Sequence, residues 1–470
     1  MDAKQMIRRI RSALSRWIIK PEKVYLIIAL VGVIGFALIT PPFQGPDEEA
    51  HYVRTQYIAH GYLIPLDVNG TSAALPDSIM VVAKKTFYRD DLRGKTADKY
   101  EIDRTKDALK EPLDNGKTYQ PVMVSYSPLP YLPAAIGVFF ANLLNANPLV
   151  SLYIARLLLA ITSVVITFYA IKLIPHKKYL LVAIGLTPML LFQQAVVTAD
   201  GVSYALLVLF IAYILYLRQA GTLVRNQWFI LSIMSVGIVL AKPLVFLFLP
   251  CILLLARKPD IKKVIAIFAL CAVVLAGWLM MTNPKVDVTT VSSLPNGANS
   301  HQQLDMLLSH PTRIFRVGWN TYMTSYGDDQ ERGVIGIFGA ADVYYPLWMA
   351  AGYIIVLGVL CATDIEDKKI KATPGIWKLL VAVLCVGYFI ATNLALYLGY
   401  TPVNFDIVYG VQGRYFLPIL IVALIALGSR GVRIRSSDAT QLRQWVVIWM
   451  AILVFLALFI TYQRYYLYTP

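Results

Sequence analysis

Charged side chains are scarce in this chain. They make up 15% of its 470 residues, whereas 57% of the residues are hydrophobic; an average soluble domain carries about 25% charged residues. Several apolar stretches are also too long for soluble core helices, because about 18 or more uncharged residues in a row are typical of a membrane span. The composition therefore excludes a soluble globular protein and predicts a polytopic integral membrane protein.

Cysteine is also rare. The four cysteines, Cys251, Cys271, Cys361 and Cys385, lie inside apolar segments and form no CxxC pair, so they are interpreted as small hydrophobic residues rather than disulfides or metal ligands. The sequence has no low-complexity segment. It also has no evident internal repeat, which argues against a transporter built from inverted repeats.

The apolar segments predict an all-α fold with about eleven transmembrane helices. The first segment is not expected to be a cleaved signal peptide, because Pro41-Pro42-Phe43 follows it instead of a small-residue cleavage site. The approximate spans are 24–40, 150–173, 179–197, 201–218, 227–241, 244–256, 263–282, 343–363, 376–399, 415–429 and 445–463.

The net charge of +15 comes from basic residues at the ends of the apolar segments. This distribution orients a membrane protein and does not indicate a nucleic-acid-binding surface. Segment 1–23 holds seven basic residues and two acids and is interpreted as a cytoplasmic amphipathic segment on anionic lipid. With the short basic loops inside, the protein is expected in the plasma membrane, with its N-terminus in the cytoplasm and its C-terminus outside.

Two apolar segments decide this topology. Residues 128–144 are interpreted as an interfacial or re-entrant helix, because counting them as a span would reverse every later basic loop. The tripeptide Ala241-Lys242-Pro243 is interpreted as a turn at an outward-facing polar cavity, since lysine deep in lipid is costly and proline removes a backbone donor. A continuous kinked helix is the alternative.

Segment 24–430 is expected to form the main transmembrane domain. It contains two large external loops, 41–149 and 283–342, and the second of these includes an amphipathic stretch from Leu304 to Tyr322. Segment 431–470 is predicted to be a cytoplasmic loop followed by the last span.

An acidic cluster, Pro46-Asp47-Glu48-Glu49-Ala50-His51, follows the first span directly. A proline followed by acids is typical of a helix start, since acids favour the positive end of the helix dipole. On a helix, however, Asp47 and Glu48 share a face with His51. A carboxylate there could accept a proton from an attacking hydroxyl, or carboxylate and histidine could bind a divalent metal. No spacing demands a metal, so the cofactor is left unknown.

Further polar residues are predicted on the same outer side. Asp200 lies at a hinge between two spans, where a helix cap explains it equally well. Lys242 and Arg414, with Gln412 beside the latter, are candidates to bind a phosphate; snorkelling to the interface is the alternative for the two cations. Arg156, in the outer third of its span, is interpreted as a helix-packing charge that could join the same pocket.

Six short motifs in a fixed order carry a resemblance over residues 24 to about 430. They are Gly45-Pro46-Asp47-Glu48-Glu49-Ala50-His51, Tyr126-Ser127-Pro128-Leu129-Pro130-Tyr131-Leu132-Pro133, Thr198-Ala199-Asp200-Gly201, Ala241-Lys242-Pro243, Gly336-Ile337-Phe338-Gly339 and Gln412-Gly413-Arg414-Tyr415-Phe416-Leu417-Pro418. In this combination the chain resembles a bacterial family of membrane proteins of unknown function, which is placed near the GT-C superfamily of glycosyltransferases.

This resemblance implies a GT-C-like fold with a large first external loop that bears interfacial helices. GT-C enzymes, among them protein O-mannosyltransferases and the aminoarabinose transferase of lipid A, carry an acidic motif in that loop and take sugars from polyprenyl-phosphate donors. The resemblance implies that Asp47 occupies the catalytic acidic position with Glu48 next to it, and that residues 128–144 are an interfacial helix. It gives His51 no role.

The leading hypothesis is an inverting glycosyltransferase that moves a sugar from a polyprenyl-phosphate donor to an envelope glycan, lipid or protein. Asp47 is the predicted general base, and Lys242 and Arg414 are predicted to stabilise the departing polyprenyl phosphate. The other pocket residues expected are Asp200, Gln412 and His51. A transporter or flippase of lipid-linked glycans is the alternative, although the ionisable residues gather at the outer ends of the spans. A non-catalytic envelope scaffold is a third hypothesis.

Overall fold

The structure is a computed structural model that describes residues 20–64, 75–86, 99–114, 126–257, 259–282, 297–323, 332–339, 341–363, 374–427 and 436–467. The predicted amphipathic segment 1–23 lies almost entirely outside these residues. Within them the protein is helical, apart from one antiparallel pair of short strands, β1 (Ile337–Phe338) and β2 (Val343–Tyr344).

The described part of the chain is a succession of helices of very different length. Up to residue 239 they are α1 (Pro21–Ile39), α2 (Glu48–Ala59), α3 (Ser78–Thr86), α4 (Ile102–Ala108), α5 (Leu132–Leu143), α6 (Pro148–Leu173), α7 (Lys178–Gly185), α8 (Pro188–Ala195), α9 (Asp200–Gln219) and α10 (Arg225–Val239). The 3-10 helix Val245–Leu255 follows, and then α11 (Ile261–Thr282), α12 (Ser300–Ser309), α13 (Arg313–Tyr322), α14 (Leu347–Thr363), α15 (Gly375–Gly399), α16 (Leu417–Leu427) and α17 (Ser436–Tyr462).

Among the residues that the structure describes, six helices are long and apolar enough to cross a membrane: α1, α6, α9, α11, α15 and α17. They confirm a polytopic membrane protein, and the first five begin and end within three residues of the predicted spans. The total of eleven spans stays a prediction, because the other apolar segments form shorter helices. Four of these are Leu129–Leu143, Val245–Leu255, Leu347–Thr363 and Gly413–Ala423.

Two predicted spans differ from the structure in their course. Segment 179–197 is two helices, because α7 ends at Gly185 and α8 starts afresh at Pro188, whose ring nitrogen cannot donate to the preceding turn. Segment 343–363 begins as β2 and becomes helical only at Leu347. The strand hydrogen bonds to Ile337–Phe338 therefore replace the first turn of the predicted helix.

The chain turns around Lys242 and does not continue as one kinked helix. Helix α10 ends at Val239, and the 3-10 helix begins at Val245. Arg257, beyond that second helix, donates a hydrogen bond to the carbonyl of Gly221, just before α10. The two segments therefore run out and back to the same side of the molecule, with Lys242 at the far end.

Residues 128–144 form a 3-10 turn, Leu129–Tyr131, and helix α5. With 12 residues and a rise of about 1.5 Å per residue, α5 is about 18 Å long, shorter than a hydrocarbon core of about 30 Å. It packs against α2 and α6. The interfacial position of the segment stays a prediction.

Two hydrogen bonds show which connecting segments lie on the same side of the molecule. The backbone N–H of Tyr100, in segment 41–149, which is predicted to be external, donates to the carbonyl of Tyr465 at 2.7 Å, so the chain just after α17 lies on the same side as that segment. The Lys177 ammonium donates to the carbonyl of Cys361 at 2.7 Å, which joins two of the segments predicted to face the cytoplasm.

Candidate functional site

Four of the predicted site residues form two ion pairs. Nη2 of Arg414 lies 3.1 Å from Oδ2 of Asp47, and Nζ of Lys242 lies 2.8 Å from Oδ1 of Asp200. The first pair joins residues 367 positions apart. The second joins the start of α9 to the turn that follows α10.

Two tyrosines connect these ion pairs into one cluster. The hydroxyl of Tyr204 lies 3.4 Å from Oδ2 of Asp200, 3.2 Å from the carbonyl oxygen of Arg414 and 3.3 Å from Nζ of Lys242. The ring centroid of Tyr415 lies 4.4 Å from Nζ of Lys242 and 5.0 Å from Cζ of Arg414. Because an aromatic face attracts cations, Tyr415 helps to hold the two positive groups close together. We call Asp47, Asp200, Tyr204, Lys242, Arg414 and Tyr415 the charged cluster.

Asp47 is the solvent-accessible end of the charged cluster. Its side chain is 36% exposed, while that of Arg414 is 4% exposed. The side chains of Lys242 and Asp200 are 10% and 3% exposed. Asp47 also has a φ of 55°, a left-handed conformation that is uncommon outside glycine and costs energy. The carboxylate makes no capping bond to α2, so a helix cap does not explain it.

Asp200 is likewise not the cap of its helix. It is the first residue of α9, and its own N–H donates to Oγ1 of Thr198 at 3.3 Å. Gly201, the next residue, lets the backbone of α9 pack closely against the end of α8. A Cβ at this position would lie 2.7 Å from the carbonyl oxygen of Gln193. The start of α9 is thereby held against the end of α8, and the Asp200 carboxylate is left to pair with Lys242.

Glu48 faces away from the charged cluster. Its fully buried carboxylate pairs with Arg156 through two bonds, from Nη2 to Oε2 at 2.6 Å and from Nε to Oε1 at 2.7 Å. It also accepts the N–H groups of Val197 at 2.9 Å and Gly45 at 3.1 Å. These four donors occupy the carboxylate in the way expected of a positioning residue, and the catalytic role predicted for Glu48 stays a prediction.

Arg156 ties the end of α1 to this carboxylate. Besides Glu48, its guanidinium donates to the carbonyls of Ala37, Thr40 and Pro41 at 2.7 to 2.9 Å. The last carbonyls of a helix have no partner within it, and Arg156 supplies one from α6. The arginine therefore packs helices together, as the sequence suggested, and fixes the position at which the chain enters the Asp47 motif.

His51 lies one turn into α2, behind Asp47. Its Nδ1 is 2.6 Å from the hydroxyl of Tyr131, and its ring packs edge-on against Tyr126 with the centroids 5.5 Å apart. Burial lowers the pKa of His51 from 6.5 to about 4, although the negative charges of Asp47 and Asp200 raise it in part. The imidazole is therefore neutral near pH 7 and lies within electrostatic range of the charged cluster.

The buried neutral histidine makes the free energy of unfolding depend on pH. In the unfolded chain His51 takes up a proton below its ordinary pKa of 6.5, whereas in the folded protein it does so only near 4. Because the pKa of His51 is lower in the folded protein than in the unfolded chain, the free energy of unfolding is highest above pH 6.5. It decreases as the pH falls toward 4, by up to about 1.4 kcal/mol per pH unit.

We expect thermal unfolding in detergent to depend less on pH between 6.5 and 4 in His51→Gln. The control is His60→Gln, which alters an exposed ring directly after the same helix and should keep the wild-type dependence. An unchanged dependence in His51→Gln would refute the assignment.

Gln412 enters the site through its backbone. Its carbonyl accepts the N–H of Tyr415 at 3.0 Å and so starts the 3-10 turn Gly413–Phe416 that presents Arg414. A Cβ at Gly333 would lie 3.0 Å from the nitrogen of Gly413, so the backbone before β1 packs directly on this turn. A contact of the Gln412 side chain with a donor stays a prediction.

Sequence reasoning missed the tyrosines of the site. Tyr204 lies four residues after Asp200 on α9, and this spacing places both on one helix face. Tyr126, Tyr131 and Tyr415 all lie within the motifs that carry the family resemblance. No group of three or more His, Cys, Asp or Glu side chains arranged for a metal occurs among the residues that the structure describes, and the predicted cofactor stays unknown.

The helices and the charged cluster define a polytopic α-helical membrane protein with a buried, charge-paired site that opens to one side at Asp47. The model of a family of predicted membrane proteins, DUF2142, matches residues 30–423. The chain therefore belongs to the DUF2142 family. No curated protein and no solved structure matches it.

Proposed function

We propose that the protein is a GT-C-type inverting glycosyltransferase, which moves a sugar from a polyprenyl-phosphate donor to a cell-envelope acceptor on the non-cytoplasmic side. The observation that carries this proposal is the Asp47–Arg414 pair. It sets an accessible carboxylate 3.1 Å from a buried guanidinium, next to a second cation on the same tyrosine ring. A base beside a phosphate-binding group is what transfer from a lipid phosphate requires.

Asp47 is the general base in this reaction. Its carboxylate accepts the proton of the acceptor hydroxyl while the acceptor oxygen bonds to the anomeric carbon. The bond between that carbon and the phosphate oxygen breaks, and its electron pair leaves with the polyprenyl phosphate. Attack opposite the leaving group inverts the configuration of the anomeric carbon.

Arg414 and Lys242 receive the donor phosphate. Both cations are paired with carboxylates in the structure, so the phosphate takes the place of Asp47 on the guanidinium, which binds such oxygens bidentately. Donor binding thereby releases the carboxylate of Asp47 for proton transfer. Asp200 stays paired with Lys242 and keeps the buried ammonium charged.

Glu48 and Arg156 position the base. Their pair fixes the chain just before Asp47, through the carbonyls at the end of α1 and the N–H of Gly45. It also holds Glu48, the residue after Asp47, against the N–H of Val197. The catalytic role predicted for Glu48 stays a prediction beside this positioning role.

The site faces outward in this proposal, with the N-terminus in the cytoplasm and the C-terminus outside. The basic loops support this orientation. The hydrogen bond between Tyr100 and Tyr465 supports the position of the C-terminus, because it places the end of α17 beside the first external loop. The acceptor is an envelope glycan, lipid or protein.

Binding of farnesyl phosphate, a short soluble prenyl phosphate, tests the phosphate site. Arg414→Gln removes the guanidinium and is expected to weaken binding at least about tenfold, or about 1.4 kcal/mol. Asp47→Asn removes the competing carboxylate and is expected to strengthen binding by a similar factor. Calorimetry on the purified protein in nanodiscs measures both changes.

The matched control is Arg104→Gln, which alters a partly exposed arginine that is also paired with an acid, Glu101 at 3.1 Å. Its affinity should equal that of the wild type. Unchanged binding in Arg414→Gln would contradict the phosphate site, and weaker binding in Asp47→Asn would contradict the competition.

A further inference from the structure

We propose that helix α13 (Arg313–Tyr322) lies in the outer headgroup region of the bilayer and sets the level of the Arg414 turn relative to the lipid. Its occupant is the bilayer itself, contacted through Phe315, Trp319 and Met323, which we call the aromatic face. This inference does not depend on the proposed reaction.

Helix α13 is amphipathic, and its aromatic face is exposed. Phe315, Trp319 and Met323 keep 78%, 67% and 65% of their exposure, whereas Val317 and Thr321 on the opposite face are buried. The three exposed residues are four positions apart and therefore form one stripe. A helix with an apolar stripe of this kind beside charged residues is typical of an interfacial helix.

The attachment of α13 places it at the boundary of the hydrocarbon core. The Tyr322 hydroxyl donates to Oδ1 of Asn393 at 2.7 Å, and Asn393 lies six residues before the end of the spanning helix α15, about 9 Å along its axis. The stripe of large exposed hydrophobic residues on α15 ends just before this point, at Ile390. Its members are Ile376, Leu379, Val383, Val386 and Ile390. The aromatic face therefore begins where the lipid-facing surface of α15 stops.

The charges of α13 fit lipid headgroups. Arg313 and Arg316 both pair with Asp406 at 2.9 Å, so two positive charges share one negative charge. An anionic headgroup surface complements the remaining positive charge. Tryptophan is enriched at membrane interfaces, and Trp319 lies in the middle of the exposed stripe.

The buried face of α13 connects the lipid to the charged cluster. Oγ1 of Thr321 accepts the N–H of Val408 at 2.9 Å, in the segment that leads to Arg414. The ring of Phe389 lies 5.2 Å from that of Tyr322 and 5.1 Å from that of Phe416. Phe416 is two residues from Arg414, so a helix seated in lipid fixes the height of that guanidinium above the membrane.

Quenching of Trp319 fluorescence tests this placement. The protein is placed in nanodiscs of phosphatidylcholine and phosphatidylglycerol, and the Trp319 signal is obtained as the difference between the wild type and Trp319→Phe. We expect lipids brominated near the headgroup end of the chain to quench this signal at least about twofold more than lipids brominated near the chain terminus, and aqueous acrylamide to quench it weakly. The control is the signal of Trp228, obtained with Trp228→Phe; this side chain is buried, and neither type of quencher should reach it.

Two results would overturn the proposal. Quenching of Trp319 by acrylamide and not by brominated lipid would place the aromatic face in water. Quenching by neither would mean that a protein covers it, whether a second copy of the chain or another partner. The phenylalanine variant keeps the apolar face and is expected to fold, so each outcome can be interpreted. Failure here would leave the phosphate site untouched, because that site is tested by farnesyl phosphate binding.

Discussion

Arg156→Ala is expected to lower the free energy of unfolding by about 3–5 kcal/mol, the cost of removing one partner from a buried ion pair. The variant leaves the Glu48 carboxylate buried without its counter-ion, and it removes the donor for three carbonyls at the end of α1. Thermal unfolding in detergent, followed by the loss of the monodisperse peak in size-exclusion chromatography, measures the effect.

Two further variants make this result specific. Arg104→Ala breaks an exposed pair with Glu101 and should change stability by no more than about 1 kcal/mol. Arg156→Met combined with Glu48→Gln removes both charges and is expected to be less destabilised than Arg156→Ala, because no uncompensated charge stays buried. An Arg156→Ala protein as stable as the wild type would show that the pair does not organise the start of the site.

Asp47→Asn is expected to slow sugar transfer by about 10²- to 10⁴-fold, the usual contribution of a general base. The amide is nearly isosteric and still offers an oxygen to Arg414, so the fold should be retained while the proton acceptor is lost. The measurement is the initial rate at which polyprenyl phosphate is released from a panel of polyprenyl-phosphate sugars, with a cell-envelope fraction as acceptor.

The matched control for Asp47→Asn is Glu49→Gln, which neutralises an acid two residues away at the start of the same helix. It should keep a rate within about threefold of the wild type, because only a base at the reacting hydroxyl contributes the full factor. Tighter farnesyl phosphate binding together with lost turnover in Asp47→Asn would separate binding from chemistry. Full turnover in Asp47→Asn would rule out its role as base.

The sequence could predict that distant charged residues meet in one site, because the predicted topology places them on the same side of the membrane. Asp47 follows the first span, Asp200 and Lys242 lie at turns, and Arg414 begins a late apolar segment; the basic loops put all four on one side. Lys242 was the clearest case, since a lysine followed by proline inside an apolar stretch needs a polar partner. Asp200 is that partner in the structure.

The partition of the acidic cluster was not predictable. Asp47 and Glu48 are adjacent, but Asp47 precedes α2 in a left-handed conformation and Glu48 is the first residue of the helix. One carboxylate therefore reaches Arg414 and the other reaches Arg156. Choosing between these arginines requires the positions of α1 and α6, which no local pattern of the sequence contains. The same limit applies to Tyr204 and Tyr415. Their role in the site depends on contacts with Lys242 and Arg414, which are distant in the sequence.

The total of eleven spans stays a prediction, most of all where short helices are held by tertiary contacts. Helices α7 and α8 are each eight residues long, and all of their residues except Lys178 are buried, so their apolar sequence reflects packing among other helices as well as lipid. A continuous apolar run cannot distinguish these two environments.

The fate of the glycosidic bond of the donor tests the central claim most directly. Purified wild-type protein is given a donor labelled with ¹³C at the anomeric carbon, and NMR follows that carbon in the presence of the envelope acceptor fraction. We expect free polyprenyl phosphate and a glycosylated acceptor of inverted anomeric configuration, and both products at least about 10²-fold more slowly with Asp47→Asn. Retained configuration, or an intact donor that crosses a liposome bilayer without bond cleavage, would contradict an inverting transferase with Asp47 as its base.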